Sequence, residues 1–317
     1  MLEASLIAGF TSQGVDVIRL GVIPTPAVTT FVSKLDVDMA VMITASHNPY
    51  HDNGIKLIAN NGDKFADEVT SELENLIEQN NFAFDKDKLG KVWEDNSIKE
   101  KYKQIAYDMY GTSSSLKGMK IVADCANGVF SDILPEVLRN LGAEVVEVGV
   151  EPNGVNINRD CGSQHPEAML EAIVKNNADL GVAVDGDGDR IGVVDSTGFL
   201  LYGDQLLLIL ARDFLKNNKG AEIMSEVKAS MVLYNDIKDH GGVPVMWKPG
   251  HSTQKAKMKE DKIPLAGETS GHIYWGENHN FDDALYSAMK LLNIILIMNF
   301  VIFYKKEWYL FYYSIKS

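Results

Sequence analysis

The sequence predicts an α/β protein assembled from consecutive units on mixed, mostly parallel sheets. Three observations predict it. Short apolar runs of strand length recur along the chain, separated by segments whose apolar residues keep helical spacing. Turns rich in Gly, Asn, Asp and Pro fall between them. The 317 residues, 45% of them hydrophobic, exceed one core of usual size and imply two or three domains.

The elements follow in order. Leu2 to about Gln13 reads as a helix, Val15–Leu20 as a strand, residues 21–26 as a Pro-rich loop and Ala27–Lys34 as a short helix. Strands follow at Met39–Ile43 and Ile55–Ala59, then an amphipathic helix at Phe65–Gln79. Asn80–Asn96 is polar, lacks apolar period and marks a boundary. A second unit holds helix Lys99–Met109, strand Met119–Asp124, helix Ile133–Leu141, strand Ala143–Val150, helix Pro166–Asn176 and strands Leu180–Val184 and Ile191–Asp195. A third, from about Gly203, holds helix Gln205–Leu215, strand Ala221–Met224, helix Ser230–Asp239 and strand Val243–Trp247. Segments Ser252–Lys259, Leu265–Gly267 and Ile273–Trp275 and helix Asp282–Leu292 complete it. The three units share a plan, though no residue-by-residue repeat is visible. Ile294–Ser317 is apolar and aromatic with no clean period, too short and too interrupted by Asn for a membrane helix.

Composition narrows the function. A net charge of −14 argues against nucleic acid and anionic membrane as partners. A phosphorylated substrate would need a local basic cluster. Cys125 and Cys161 are the only cysteines and form no Cys-x-x-Cys spacing, which argues against a disulfide framework or structural zinc. The start has no basic region of a signal peptide, and a reduced, cytoplasmic enzyme is expected.

Three stretches carry chemistry. The run Met39–Ile43 delivers Thr44-Ala45-Ser46-His47-Asn48-Pro49, a strand that presents a hydroxyl on a polar turn. An ordinary junction with Ser46 as a cap is the plain alternative. Asp185-Gly186-Asp187-Gly188-Asp189-Arg190 follows an apolar strand. Alternate residues of an extended segment point the same way, so three hard carboxylates converge and suit Mg²⁺. An EF-hand fails, because its sixth and twelfth positions would be Arg190 and Ser196 rather than Gly and Glu. Gly267-Glu268-Thr269-Ser270-Gly271-His272 offers carboxylate, hydroxyl and imidazole groups for sugar hydroxyls, although a capping turn would look similar. Lys56, Arg190, Lys228, Lys248 and His251 could supply the positive field that the chain as a whole lacks. No Gly-x-Ser-x-Gly or P-loop is present.

In this order and spacing the three motifs resemble the α-D-phosphohexomutase family, most of all its bacterial phosphomannomutase/phosphoglucomutase branch, from near residue 1 to about Asn293. The resemblance implies three-layer α/β/α domains around a cleft. It divides the chain into domain I at 1–93, domain II at 94–200, domain III at 201–293 and an aberrant tail at 294–317 in place of domain IV. It implies Ser46 as phosphoserine, with Asp185, Asp187 and Asp189 holding Mg²⁺ against the phosphate and Ser46 completing the metal set. His47, Lys56 and Arg190 would be catalytic; Lys228, His251, Glu268, Ser270 and His272 would bind substrate. The implied reaction passes phosphoryl between C1 and C6 of a hexose phosphate by way of a hexose 1,6-bisphosphate. The segment Asn158–Glu167, with Cys161-Gly162-Ser163-Gln164-His165-Pro166, leans instead toward the phosphoglucosamine mutase branch. The family's N-terminal strand and arginine, and its fourth domain, are expected to be missing. The chain as written is therefore expected to be a poor mutase or an inactive fragment. The sequence sets no oligomeric state.

Overall fold

A computed structural model gives the structure of residues 1–79, 87–110 and 116–297. It separates into two compact units, one made of Met1–Ala45 and Asn53–Tyr102, the other of Ser46–Asp52 and the described residues from Lys103 onward. The architecture is mixed α/β, as the alternating pattern predicts.

The first unit runs α1 (Leu2–Ser12), β1 (Val17–Arg19), α2 (Thr25–Val32), β2 (Met39–Ile43), β3 (Ile55–Ala59), α3 (Asp67–Glu78) and β4 (Val92–Glu94). Helix α2 starts two residues earlier than predicted, because Pro26 sits in the first turn, where its missing N–H leaves no bond unmade. Strands β2 and β3 pair antiparallel, with Met42 opposite Lys56. Strand β4 lies within the stretch 80–96, which reads as polar and without apolar period: it pairs parallel with β1, Ile18 opposite Trp93. Three residues are too few to show a period. The signal that could have found it is Gly90, where a Cβ would stand 1.9 Å from the Val15 carbonyl oxygen. Only glycine admits that approach. Arg19 ties the pair together by bonding Glu94 across it and Glu3 on α1.

Helix α4 (Ser97–Tyr110) contains the division between the units. Asp95 accepts from the Ser97 N–H and hydroxyl, which explains its start ahead of the predicted Lys99.

The second unit carries two five-stranded sheets of identical topology. The first is built from β5 (Lys120–Asp124), α5 (Leu134–Asn140), β6 (Glu144–Val148), α6 (Glu167–Asn176), β7 (Leu180–Val184), β8 (Ile191–Asp195) and β9 (Leu200–Leu201), in strand order 6-5-7-8-9. The second follows α7 (Gly203–Asn217). It is built from β10 (Glu222–Glu226), α8 (Met231–Asp239), β11 (Val243–Trp247), α9 (His251–Asp261), β12 (Leu265–Gly267), β13 (Ile273–Trp275), β14 (Phe281–Asp282) and α10 (Ala284–Ile297), in order 11-10-12-13-14. In each sheet the first three strands pair parallel and the last two antiparallel. The shared plan that the sequence only suggested is a repeated topology here. β7 and β8 are buried along their whole length, which is why they read as unbroken apolar runs. Met169 and Ile173 of α6 close one core over Val122, Ala183 and Val194; Met258 of α9 closes another over Met224, Ala266 and Tyr274. Packing of α10 against β8 and α7 joins the two halves.

The tail reading needs one correction. α10 continues through Ile297, and Ile294 and Ile295 are buried in it, so the helix does not stop at the predicted Leu292. Residues 298–317 lie outside the described residues. Among the described residues no helix is long and apolar enough to cross a membrane.

The topology places the motifs. All three occupy turns that join antiparallel strand pairs: 44–54 between β2 and β3, 185–190 between β7 and β8, and 268–272 between β12 and β13.

Candidate active site

The acidic turn is organised by its first residue. Asp185 Oδ1 accepts the backbone N–H groups of Gly188, Asp189 and Arg190 at 3.0, 3.1 and 3.2 Å. The segment is therefore a closed turn, not the extended run the sequence suggested. The carboxylates converge because the backbone wraps around Asp185. One oxygen each from Asp185, Asp187 and Asp189 lies within 4.8 Å of the others, and all three residues are buried. Burial, then the charges of Asp189 and Asp187, push the Asp185 carboxyl well above the usual range. Three hard oxygens crowded in a buried turn repel one another without a cation, so the donor set fits a divalent ion such as Mg²⁺.

Ser46 meets this cluster. Its Oγ donates to Asp185 Oδ2 at 3.0 Å. Its φ of 55° is left-handed, a conformation that strains a side-chain-bearing residue. His47 is exposed at its edge. Partial desolvation and then the Arg190 charge lower its pKa, while Asp189 and Asp187 act the other way.

A second cluster surrounds Asp282, which the sequence reading missed. This buried carboxylate takes His272 Nδ1 at 2.8 Å, His251 Nε2 at 2.9 Å and Lys255 Nζ at 2.7 Å. Burial works to raise its pKa, but His251 and Lys255 outweigh it and hold the group well below the carboxylate range. Burial lowers the His251 pKa against the pull of Asp282. The other nitrogen of His272 accepts from Arg190 Nε at 3.0 Å, and Arg190 Nε stands 3.8 Å from Asp185 Oδ2. A path of polar contacts thus runs from Asp282 through His272, Arg190 and Asp185 to Ser46. Burial alone would lower the His272 pKa; Asp189 and Asp282 outweigh it and raise it to about 9. The Arg190 N–H needs the Nε2 lone pair, so this pairing belongs to the neutral ring with its proton on Nδ1. Arg190 thus opposes the second proton that Asp189 and Asp282 favour.

In the third turn, Glu268 accepts from Tyr274 Oη at 3.0 Å, the Gly250 N–H at 3.3 Å and Ser270 Oγ at 3.3 Å. Buried Glu226, also missed, accepts from the Thr269 N–H and hydroxyl at 3.0 and 2.6 Å. The second and third turns are knitted together. The Ile191 N–H donates to Gly271 O at 3.0 Å, and the Ala284 N–H at the start of α10 braces the second turn through Gly188 O at 3.2 Å.

The structure therefore gathers Ser46, His47, Asp185, Asp187, Asp189, Arg190, His251 and His272 in one unit, with Glu268 and Ser270 on the adjoining turn. Lys228 is mainly exposed, 3.8 Å from Glu226, and Lys248 is exposed. Lys56 stands half-buried on β3 in the first unit.

Replacing Asp282 with Asn should destabilise the second unit strongly. Three donors converge on it, and a carboxamide of the same shape turns an N–H₂ toward them. Removing one partner of a buried ion pair costs roughly 3–5 kcal/mol. Thermal melting of Asp282→Asn should fall by about 10 °C for a unit of this size.

Comparison with known proteins places the chain in a family. Models of the phosphoglucomutase/phosphomannomutase α/β/α domains I, II and III match residues 1–84, 97–198 and 202–299. Phosphoglucosamine mutase of Chelativorans sp. (strain BNC1) is 37% identical over 303 residues, 94% of this chain and 67% of the relative. A phosphoglucomutase/phosphomannomutase family protein from Burkholderia thailandensis has a similar crystal structure, with a TM-score of 0.80 and 32% identity over 93% of this chain and 65% of that one. Aspergillus fumigatus N-acetylphosphoglucosamine mutase, solved with GlcNAc-6P and magnesium, has a similar fold, with a TM-score of 0.61 at 16% identity over 92% of this chain and 79% of that one. The chain spans about two thirds of the length of the curated relatives it matches.

Proposed function

The chain belongs to the phosphoglucomutase/phosphomannomutase family, and on that premise we propose that it moves a phosphoryl group between C1 and C6 of a hexose phosphate, with Ser46 as the carrier. The observation that carries the reading is the 3.0 Å contact between Ser46 Oγ and Asp185, the residue around which the carboxylate turn closes.

The chemistry follows from the residues. Phosphorylated Ser46 gives its phosphoryl to a free sugar hydroxyl: the Ser46 O–P bond breaks, a sugar O–P bond forms, and the hydroxyl proton leaves. The bisphosphate turns over, and its other phosphoryl returns to Ser46. Asp185, Asp187 and Asp189 would hold Mg²⁺, which supplies positive charge against the phosphoryl oxygens. Arg190 adds a fixed cation beside them, and such charge stabilisation is the main source of rate in phosphoryl transfer. His47 and Lys56 are the groups proposed to move the proton. Glu268, Ser270, His251, His272 and Lys228 are proposed to contact the sugar and its phosphate. A cytoplasmic location suits such a substrate.

An amino-sugar substrate is the reading favoured within this class. The curated relatives are phosphoglucosamine mutases. In addition, Gln164 of the 161–166 segment reaches the Ser270 carbonyl oxygen, a long contact of 3.5 Å with the turn proposed to bind sugar.

Coupled assays with glucosamine, glucose and mannose monophosphates, with Mg²⁺ and a catalytic amount of the matching 1,6-bisphosphate, test both points. Turnover that needs Mg²⁺ and is fastest with the glucosamine compound is expected. No turnover of any of the three would reject the function, and a preference for mannose or glucose would reject the amino-sugar reading.

A further inference from the structure

We propose that Asn158 is the positioning residue of the serine loop, holding Ser46 in the backbone conformation from which its hydroxyl meets Asp185. The inference rests on the functional reading above and names a residue that the reading does not use.

Both carboxamide protons of Asn158 are spent on the loop. Nδ2 donates to Ser46 O at 3.0 Å and to Asn48 O at 3.0 Å. The side chain thus staples the two carbonyls that flank His47. Ser46 has a φ of 55°, in the left-handed region that is unfavourable for an L-residue. Such a conformation persists where surrounding contacts over-determine it, and the Asn158 fork is such a contact. The fit is close on its other side as well. A Cβ on residue 186 would stand 2.7 Å from Ser46 O and 2.8 Å from Asn158 Nδ2, so glycine is required there for the loop and its clamp to meet. The first glycine of the acidic turn, Gly186, therefore serves the serine loop as much as the carboxylates.

The clamp is itself rigid. Asn158 is only 7% exposed, and its own N–H donates to Ala126 O at 2.8 Å. On one side, Asn156 bonds Glu151 O and the Asn153 N–H, both at 2.9 Å. On the other, the Gly162 N–H donates to buried Asp124 at 2.8 Å. A segment braced at both ends can impose a geometry on its neighbour. This also gives a physical task to the start of the 158–167 segment, which sequence alone reads only as a mark of one family branch.

Asn158→Asp tests the proposal, because it keeps the shape and replaces both donors with acceptor oxygens facing two carbonyls. Misplacing a reacting group by about 1 Å costs on the order of 100-fold in rate. The variant should lose kcat on that scale and keep its KM for hexose phosphate within about threefold, a split that a merely structural defect would not give. Hydrogen exchange of a peptide covering residues 44–52, measured on the free chain, should be slow in the natural protein and fast in the variant. Asn158→Ala, which adds no repulsion, should show the same exchange change to a smaller degree if Asn158→Asp does not fold. A folded Asn158→Asp with unchanged kcat, or unchanged exchange in both variants, overturns the clamp. If the natural chain turns over no hexose phosphate, the functional reading fails and exchange alone decides the clamp.

Discussion

Ser46→Ala is expected to reduce hexose phosphate interconversion to assay background. The proposed route forms and breaks a P–O bond at Ser46 Oγ in every cycle, so its removal leaves no carrier rather than a slower one. Nucleophile deletions elsewhere cost on the order of 10⁶-fold in kcat. The fold should hardly notice. Ser46 gives up one hydrogen bond to Asp185, worth about 1 kcal/mol, or somewhat more because the acceptor is a carboxylate. Alanine is as poorly suited as serine to a φ of 55°, so the strain stays the same. A melting curve lowered by no more than a few degrees, with no turnover, is the expected pair of results, measured by calorimetry and a coupled assay. Retained turnover would mean that another atom carries the phosphoryl.

Asp187→Asn is expected to weaken Mg²⁺ binding by at least about tenfold. Changes that only orient a metal's ligands already cost 10–100-fold, and this one removes a charged oxygen from the ligand set. The physical reason lies in the crowding of the turn. Buried Asp185 has its pKa raised partly by Asp187 and Asp189, and a divalent ion relieves that repulsion. The Asn variant has less repulsion to relieve. Mg²⁺ at 100 times its Kd stabilises a protein by about 2.7 kcal/mol. That rise in melting temperature should therefore shrink in Asp187→Asn at equal Mg²⁺. Equal affinities by titration calorimetry would remove Asp187 from the metal set.

Much of this was legible in the sequence where chemistry is local. β7 and β8 are buried throughout and read as apolar runs, so the turn between them could be placed and its three carboxylates recognised. The serine and Glu268 turns were found in the same way. What stayed hidden is set by distant contacts. Asn158 holds a carbonyl 112 positions away, and His272 takes Arg190 from 82 positions away. No periodicity announces such partners. Asp282 sits on a two-residue strand, too short to separate from a loop, and the sequence reading assigned it to a helix. Lys228 was legible from its charge and its place after β10, but how far its charge reaches was not: its side chain is 67% exposed, 3.8 Å from Glu226, the residue that accepts from Thr269. A lysine's position in sequence says where its Cα lies, while its long stem decides where the charge goes. The repeated sheet topology was also beyond the sequence, because it resides in strand order and not in matching residues.

The account's central claim is that Ser46 carries the phosphoryl group, and mass spectrometry of the intact chain reads it most directly. After incubation with Mg²⁺ and a hexose 1,6-bisphosphate, the natural chain should gain one phosphoryl group, mapped by peptide fragmentation to Ser46, and Ser46→Ala should gain none. A phosphoryl group mapped to another residue, such as Ser270, or hexose phosphate turnover with no phosphorylated chain at all, would contradict it.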